Sequence, residues 1–473
     1  MKVILVCLCS LMFLTLGLAQ DAVNLEIDFS KTNGQFRALH GINKGSLASG
    51  GLIDLSQAHR ALKLPLVRLH DCHWPNPDVV DMHVVFPDFR ADPQNPTSYD
   101  FRLTDEYLAK IHATGAPMLF RLGESIEHTS IKRWVHPPAD YHRWAEASLG
   151  IIRHYNEGWA NGFRYDIRYW EIWNEPENRP AMWSGSDEDY FRLYATTARA
   201  IKAQFPHLEV GGPAVGYSGK LEGDKFVEGD FVRKFLQFCK NEKLPLDFFS
   251  WHCYTDNPVE LSLRAKGIRQ LLNGYGFTQT ESHLNEWNYL PGNSWEPISR
   301  DAPPLARQKF YEEMGGSKGA AFIVTALLQL QDAPLDAANF FHGELGGFGL
   351  FNEHGVPLKS YYAFRAFSEL LQTPQRVEAN GTFKDGLSIG AGVNAPKNQA
   401  TVLISNFNHL PSKLNLEIKN LPWQGATGYE IQLVDANHNL DTFQPPARLG
   451  ESLNLNLPAP GIALVQLRQR NNP

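Results

Sequence analysis

The sequence predicts a (β/α)8 TIM barrel with a small accessory β-sandwich, preceded by a short apolar leader. Three observations predict it. From about residue 36 to residue 370, short apolar runs alternate with stretches of helical character. After Gln372 the pattern changes to Gly, Asn and Pro turns between alternating strands. Before both, residues 3–18 are almost wholly apolar.

The leader comes first. Lys2 gives a positive start, and Gly17, Leu18 and Ala19 give a small-x-small ending. Residues 1–19 therefore read as a secretory signal peptide, which predicts a secreted or periplasmic chain. No later segment approaches the roughly 20 apolar residues of a spanning helix, so no stable membrane insertion is expected. The 473 residues carry 44 Lys and Arg against 51 Asp and Glu, a net charge of −7. That balance excludes a nucleic-acid surface, where basic groups must neutralise phosphates. Beyond the leader only Cys72, Cys239 and Cys253 remain, which is neither a disulfide framework nor a zinc pattern. No cofactor or metal is expected. The run His70, Asp71, His73 is ligand-like in spacing alone.

The barrel strands follow in order: Phe36–Ile42, Leu66–His70, Pro117–Leu122, Tyr165–Trp173, Glu209–Pro213, Asp247–Tyr254, Ser282–Trp287 and Ala320–Leu327. Between them Asp105–Thr114, Asp140–Tyr155, Asp187–Gln204 and Pro303–Gly315 read as helices, the third with Ser186 or Asp187 as cap. Eight strands separated by crossover helices predict a barrel over residues 36–370. The excess over the usual roughly 250 residues falls in loops, chiefly 71–101, rich in Pro, Asp and Asn. Residues 371–473 hold the alternating strands Ala400–Phe407, Ser412–Ile418, Gly428–Val434, Ser452–Leu457 and Gly461–Arg468, an all-β signature. The strand Asn24–Phe29, within residues 20–35, is expected to join them.

Chemistry in a barrel sits at the carboxyl ends of its strands. The fourth predicted strand ends Trp170-Glu171-Ile172-Trp173-Asn174-Glu175-Pro176. Its period of two puts Glu171 and Glu175 on one face, and Pro176, lacking a donor, ends it. The seventh reads Ser282-His283-Leu284-Asn285-Glu286-Trp287-Asn288, with Glu286 at the matching level. Strands four and seven lie across the barrel, so the two rim carboxylates face each other. Cleaving a glycosidic bond needs such a pair: one protonates the leaving oxygen, the other attacks the anomeric carbon or activates water. Glu281 is the rival to Glu286 if the seventh strand ends early. Eleven Trp and sixteen Tyr, many beside polar residues, suit an oligosaccharide or polysaccharide, whose rings have apolar faces and polar edges.

The stretch Trp170–Pro176 resembles the acid/base motif of the retaining barrel glycosidases. Within that clan the chain is most similar to glycoside hydrolase family 39, the β-xylosidase and α-L-iduronidase family. Gly211-Gly212-Pro213-Ala214, Trp251-His252-Cys253-Tyr254-Thr255, Glu286-Trp287-Asn288, Gly349-Leu350-Phe351 and Tyr361-Tyr362-Ala363-Phe364 carry the resemblance over residues 36–370. It implies Glu175 as acid/base, Glu286 as nucleophile, and Asn174 on the sugar 2-hydroxyl. It also implies an accessory sandwich built from both termini. The expected activity is a retaining, exo-acting, β-xylosidase-like hydrolase of plant-type oligosaccharides. The same chemistry on another glycan, by an arabinosidase, an iduronidase or an exopolysaccharide endo-hydrolase, is the alternative, as is a non-catalytic sugar-binding protein.

Supporting residues follow from strand position. Arg68 ends strand two and would hold a carboxylate ionised. His252 and Tyr254 share one face of strand six, where Tyr254 would donate to Glu286 and His252 would touch the sugar or buttress Glu175. His40 and Asn43, near the end of strand one, and Trp287 on strand seven are expected at the sugar. Glu171, one layer down, is expected to pair with Arg68 or Arg121. A uronic acid would need Lys44, Arg121 or Arg300 at the rim. The rim loop His342-Gly343-Glu344 is expected to line the pocket.

Overall fold

The computed structural model describes residues 22–48, 51–72, 78–383, 386–409 and 412–470. The leader and His73 lie outside the described residues. Eight parallel strands close into a barrel: Gly41–Asn43, Val67–Leu69, Met118–Leu122, Tyr169–Ile172, Glu209–Val215, Phe248–Thr255, Glu281–Tyr289 and Ala337–Phe340. They are called the first to eighth barrel strands below. Backbone pairing of Phe340 with Ile42 shuts the ring.

Seven strands lie where the sequence places them, and the eighth does not. Ala320–Leu327 sits inside an α-helix, Ser317–Gln329. A short, wholly apolar run suits a buried strand or a buried helix equally, and periodicity cannot separate them. Here the helix is wedged between the barrel and the second sheet, so every side is covered. Ser405 Oγ donates to Ala321 O at 2.8 Å, and Gln329 donates to Ser388 Oγ at 3.3 Å. The true eighth strand, Ala337–Phe340, is only four residues long and has no β-branched residue.

Caps fix the helices that brace the site. Ser186 and Asp189 form a capping box at Asp187–Gln204, and Asp140 caps Tyr141–Asn156. The loop after the second strand is packed rather than loose. Val79, Val80, Met82, Val85 and Phe86 are buried, and a short helix spans Met82–Val85.

The barrel interior is layered. At the bottom Leu119, Tyr169, Phe248 and His283 plug it, the last two stacked at 4.6 Å. Gly211 is needed at this level, because a Cβ there would meet the Phe248 carbonyl at 2.2 Å. Above the plug the lining turns charged, and that layer carries the site.

Residues beyond the barrel form one nine-stranded sheet. Its order is Asn439–Arg448, Thr427–Val434, Gly461–Gln469, Gln399–Asn406, Leu387–Val393, Gln375–Asn380, Val23–Gln35, Lys413–Lys419 and Leu453–Asn456. Val23–Gln35 pairs parallel with Lys413–Lys419 and antiparallel with Gln375–Asn380, so the chain start is built into this sheet. Leu25, Leu414 and Leu455 share one core with Val402, Ile431 and Leu433. The sheet curls until its arms pack as two layers of a sandwich while remaining hydrogen-bonded as one. Cys72, Cys239 and Cys253 are buried free thiols. Among the described residues no helix is long and apolar enough to cross a membrane.

Candidate active site

Arg68 is the hub of the charged layer. Its side chain is wholly buried on the second barrel strand. Nε donates to Glu171 Oε2 at 2.7 Å, Nη1 to Asn43 Oδ1 at 3.0 Å and to Glu286 Oε2 at 3.2 Å, and Nη2 to Asn174 Oδ1 at 2.6 Å. One guanidinium thus ties strands one, two, four and seven together. Glu171 accepts a further bond from Asn285 Nδ2 at 2.5 Å. Two buried carboxylates around one cation are tolerable because each oxygen finds a donor.

Above this layer Glu286 points inward from the seventh strand. Tyr254 OH donates to its Oε1 at 2.5 Å. Glu175 reaches the same space by another route. The fourth strand stops at Ile172, and Trp173 and Glu175 take left-handed backbone with φ of 72° and 44°. The carboxylate is aimed by a turn, and not by strand period as the sequence suggests. That unfavourable backbone is held by Trp173 N donating to Leu122 O and Glu175 N to Ala214 O. Neighbouring Gly216 leaves room for the carboxylate, since a Cβ there would stand 2.5 Å from Glu175 Oε1.

His252 sits between the two acids. Its Nδ1 is 2.8 Å from Glu175 Oε1 and its Nε2 3.7 Å from Glu286 Oε2. Asn178 donates to Glu175 Oε2 at 2.9 Å. One ligand atom from each of Glu175, His252 and Glu286 lies within 4.8 Å of the others. The three titrate as one set. Burial pulls His252 down, but the charges of Glu286 and Glu175 outweigh it and leave it raised. Burial pushes Glu175 up, and the bond and charge of His252 overcome that and hold it low. Burial, with the charge of Glu175, lifts Glu286 against His252, Arg68 and Tyr254.

The cavity above these groups has a volume of about 830 Å³. Its walls differ. Tyr254, Trp295, Tyr311, Phe341 and Phe348 line the Glu286 side. Asn178, Glu177, Gly216 and Tyr217 line the Glu175 side, with Asp71 and His128 nearby. No Lys or Arg lines it among the described residues.

The structure thus gathers Arg68, Asn174, Glu175, His252, Tyr254 and Glu286. Asn43 lies one layer down, donating to Asn285 O at 2.9 Å. Two expected sugar contacts face elsewhere. His40 precedes the first strand and packs against Phe364 and Phe367 of the last barrel helix, with Nε2 on Leu62 O at 3.0 Å. Burial takes its pKa down to about 4. Trp287 follows Glu286, so the strand's alternation turns it outward against Phe340 in the core. Glu281 opens the seventh strand at its far end, bonded to His283 and Tyr169. Of the rim cations, Lys44 pairs with Glu344 at 3.9 Å, Arg121 is bound by Asp81 at 2.6 Å, and Arg300 is exposed away from the cavity. Glu177, Tyr217 and Trp295 were not foreseen. They stand on loops, where no period marks an inward residue, although Glu177 follows the Asn-Glu-Pro run directly.

Two groups of side chains have metal-like spacing. In the first, His252 bonds Glu175, while Glu286 is bonded by the Arg68 cation and Tyr254. In the second, Asp81 is taken by Arg121 and Ser125, and His83 Nδ1 bonds Glu124 directly.

A barrel with two close carboxylates at its C-terminal rim is the arrangement that retaining glycosidases use. The chain belongs to glycosyl hydrolases family 39, which it matches over residues 55–385. It is 30% identical over 262 residues to a β-xylosidase of Geobacillus stearothermophilus, covering 50% of this chain and 48% of that one. It is 27% identical over 296 residues to a β-xylosidase of Caldicellulosiruptor saccharolyticus, covering 58% and 54%. The chain therefore spans about half the length of these curated relatives. A solved glucosidase from Croceicoccus marinus superposes with a TM-score of 0.80 at 25% identity, covering 95% of this chain and 99% of that one. A family 39 enzyme from Xanthomonas axonopodis pv. citri superposes at 0.70 with 18% identity, covering 95% and 98%.

Proposed function

We propose that the protein is a retaining, exo-acting glycosidase of β-xylosidase type, with Glu286 as nucleophile and Glu175 as general acid/base. The carrying observation is the separation of the pair. An oxygen of each lies within 4.8 Å of the other, which favours the carboxyl spacing of roughly 5–5.5 Å in retaining enzymes over the roughly 6.5–9.5 Å of inverting ones.

A Glu286 oxygen attacks the anomeric carbon as the bond to the leaving oxygen breaks, and Glu175 gives that oxygen a proton. Glu175 then takes a proton from water, the water attacks the anomeric carbon, and Glu286 is released. Arg68 and Tyr254 stabilise the Glu286 carboxylate at rest and as it departs. With His252 held raised and Glu175 held low, the pair favours the proton on the His252 side of their 2.8 Å bond. Substrate that displaces water disfavours this charge-separated pair and moves the proton to Glu175.

The absence of Lys and Arg from the described cavity wall favours a neutral glycone over a uronic acid. The similarity to the two β-xylosidases favours xylose. The superposition on a glucosidase favours a glucose-configured sugar as the second reading. Aryl β-xyloside, β-glucoside and uronide turnover separates these. Proton NMR should show the first-formed sugar with retained β configuration, and an α product sinks the double displacement. Glu286→Ala should lose on the order of 10⁴-fold or more in turnover and recover with azide. Recovery in a Glu281 variant and none in Glu286→Ala would reverse the assignment.

A further inference from the structure

Tyr217 is a large aromatic residue left 59% exposed at the edge of the cavity. It lies on the Glu175 side, directly after Gly216, whose backbone packs on the Glu175 carboxylate. A proton leaving Glu175 goes to the departing oxygen, so this wall is where the departing group lies. The opposite wall, of Tyr254, Trp295 and Phe348, belongs to Glu286 and the sugar it attacks.

The tyrosine is built in rather than merely exposed. Its backbone N–H donates to Glu177 Oε1 at 2.9 Å. Its ring lies against Gly229, where a Cβ would stand 3.4 Å from Cδ1 and Cε1. Gly229 closes a hairpin of Gly219–Glu222 with Lys225–Glu228, and its N–H donates to Ser218 O at 2.9 Å. Arg264 binds the Gly219 carbonyl at 2.7 Å, anchoring the hairpin to the helix behind. The ring is thus held along its Cδ1–Cε1 edge and otherwise largely exposed where it lines the cavity.

The geometry points to Tyr217 as the stacking platform for the departing group, fixed in place by Glu177, so that the enzyme selects substrates whose leaving group is itself a ring. A flat, bare aromatic face matches the apolar face of a pyranose or an aryl ring and offers nothing to a small leaving group. Stacking there also contributes to orienting the scissile oxygen toward Glu175. The proposal rests on the reading of Glu175 as the acid.

The test compares xylobiose with β-xylosyl fluoride, which share a glycone, and cellobiose with β-glucosyl fluoride likewise. Tyr217→Ala should lose about ten-fold in kcat/KM on the disaccharide and less than about two-fold on the fluoride. Tyr217→Phe should keep both rates, and activity on the fluoride shows that the variant is folded. Glu177→Ala should reproduce the selective loss, whereas Glu177→Gln, which keeps an acceptor for the Tyr217 N–H, should not. Equal losses on both substrates, or none on the disaccharide, overturn the platform. Wild-type turnover of the fluoride tests the reading of the site separately. Calorimetric disaccharide binding to wild type and Tyr217→Ala reads the platform even without turnover: weaker binding supports it, and equal binding overturns it.

Discussion

Glu286 and Glu175 face one cavity but are held by opposite means. Glu286 stands on a strand, at a bulge that turns it inward beside Asn285. It is bonded by groups that keep their state, the Arg68 guanidinium and the Tyr254 phenol, with His252 farther off at 3.7 Å. Glu175 stands on a left-handed turn, against an imidazole that itself titrates and an exposed asparagine. The first setting suits a group whose charge must be constant until it forms a bond. The second suits a group that must give up a proton and take it back. The difference teaches that an acid's role is set by whether its partner can change charge, more than by how deeply it is buried.

The sharpest way to break this contrast is to remove the fixed cation. Arg68→Met leaves Glu171 buried with no counter-charge and Glu286 with only His252 opposite it. Such uncompensated burial costs about 3–5 kcal/mol, which denaturant unfolding at neutral pH should register. The loss should shrink at lower pH, where a stranded carboxyl takes up a proton. On the other side, Asn178→Ala removes one bond near the surface and should cost under about 1.5 kcal/mol. Equal losses at the two positions would mean that the acids are not held differently.

How much of this the sequence revealed follows the same division. Arg68, His252 and Tyr254 were legible because they lie on strands where a period of two tells inward from outward. Glu286 was instead legible as a motif, since a bulge turns it inward beside the equally inward Asn285. Trp287 was misplaced by the same bulge, since a period of two counted from His283 and Asn285 puts it inward. His40 looked inward only through nearness to a strand end, and it precedes that strand. Glu175 was legible as a motif, but its direction comes from a turn whose φ the sequence does not announce. The eighth strand was misplaced because an apolar run states burial without stating which element is buried. Glu177, Tyr217 and Trp295 hang from loops, whose inward residues are chosen by tertiary contacts alone.

A smaller effect sharpens the Glu286 side. Tyr254→Phe deletes a short bond to an ionised oxygen and should lower kcat/KM by about 10- to 100-fold. The bond favours the charged form, so its loss raises the Glu286 pKa. A nucleophile must be ionised, so activity falls as pH drops through that value. The acidic limb of the kcat/KM profile should therefore move to higher pH. A limb that stays in place would show that Tyr254 does not act through Glu286.

The smallest effect belongs to Glu175 and comes through Glu177. Burial and the charge of Glu175 push the Glu177 carboxyl up to about 7, and its Oε2 has no partner. The influence is reciprocal: above that pH the Glu177 charge raises Glu175 and helps it keep its proton. Glu177→Gln removes the charge and keeps the shape. The alkaline limb, which reports loss of the acid's proton, should move to lower pH by less than about one unit, with kcat near pH 5 unchanged. Stability gives an independent sign check. A carboxyl raised in the fold binds its proton more tightly there than in the unfolded chain. Its contribution is present below the unfolded value of about 4.5 and is lost as pH rises through about 7. The Gln variant should therefore gain stability relative to wild type between pH 5 and pH 8. A gain without a limb shift would leave Glu177 a buried acid that bears on the fold and the Tyr217 turn but not on the proton. A limb shift of the predicted sign ties it to Glu175, the member of the pair whose surroundings can change charge.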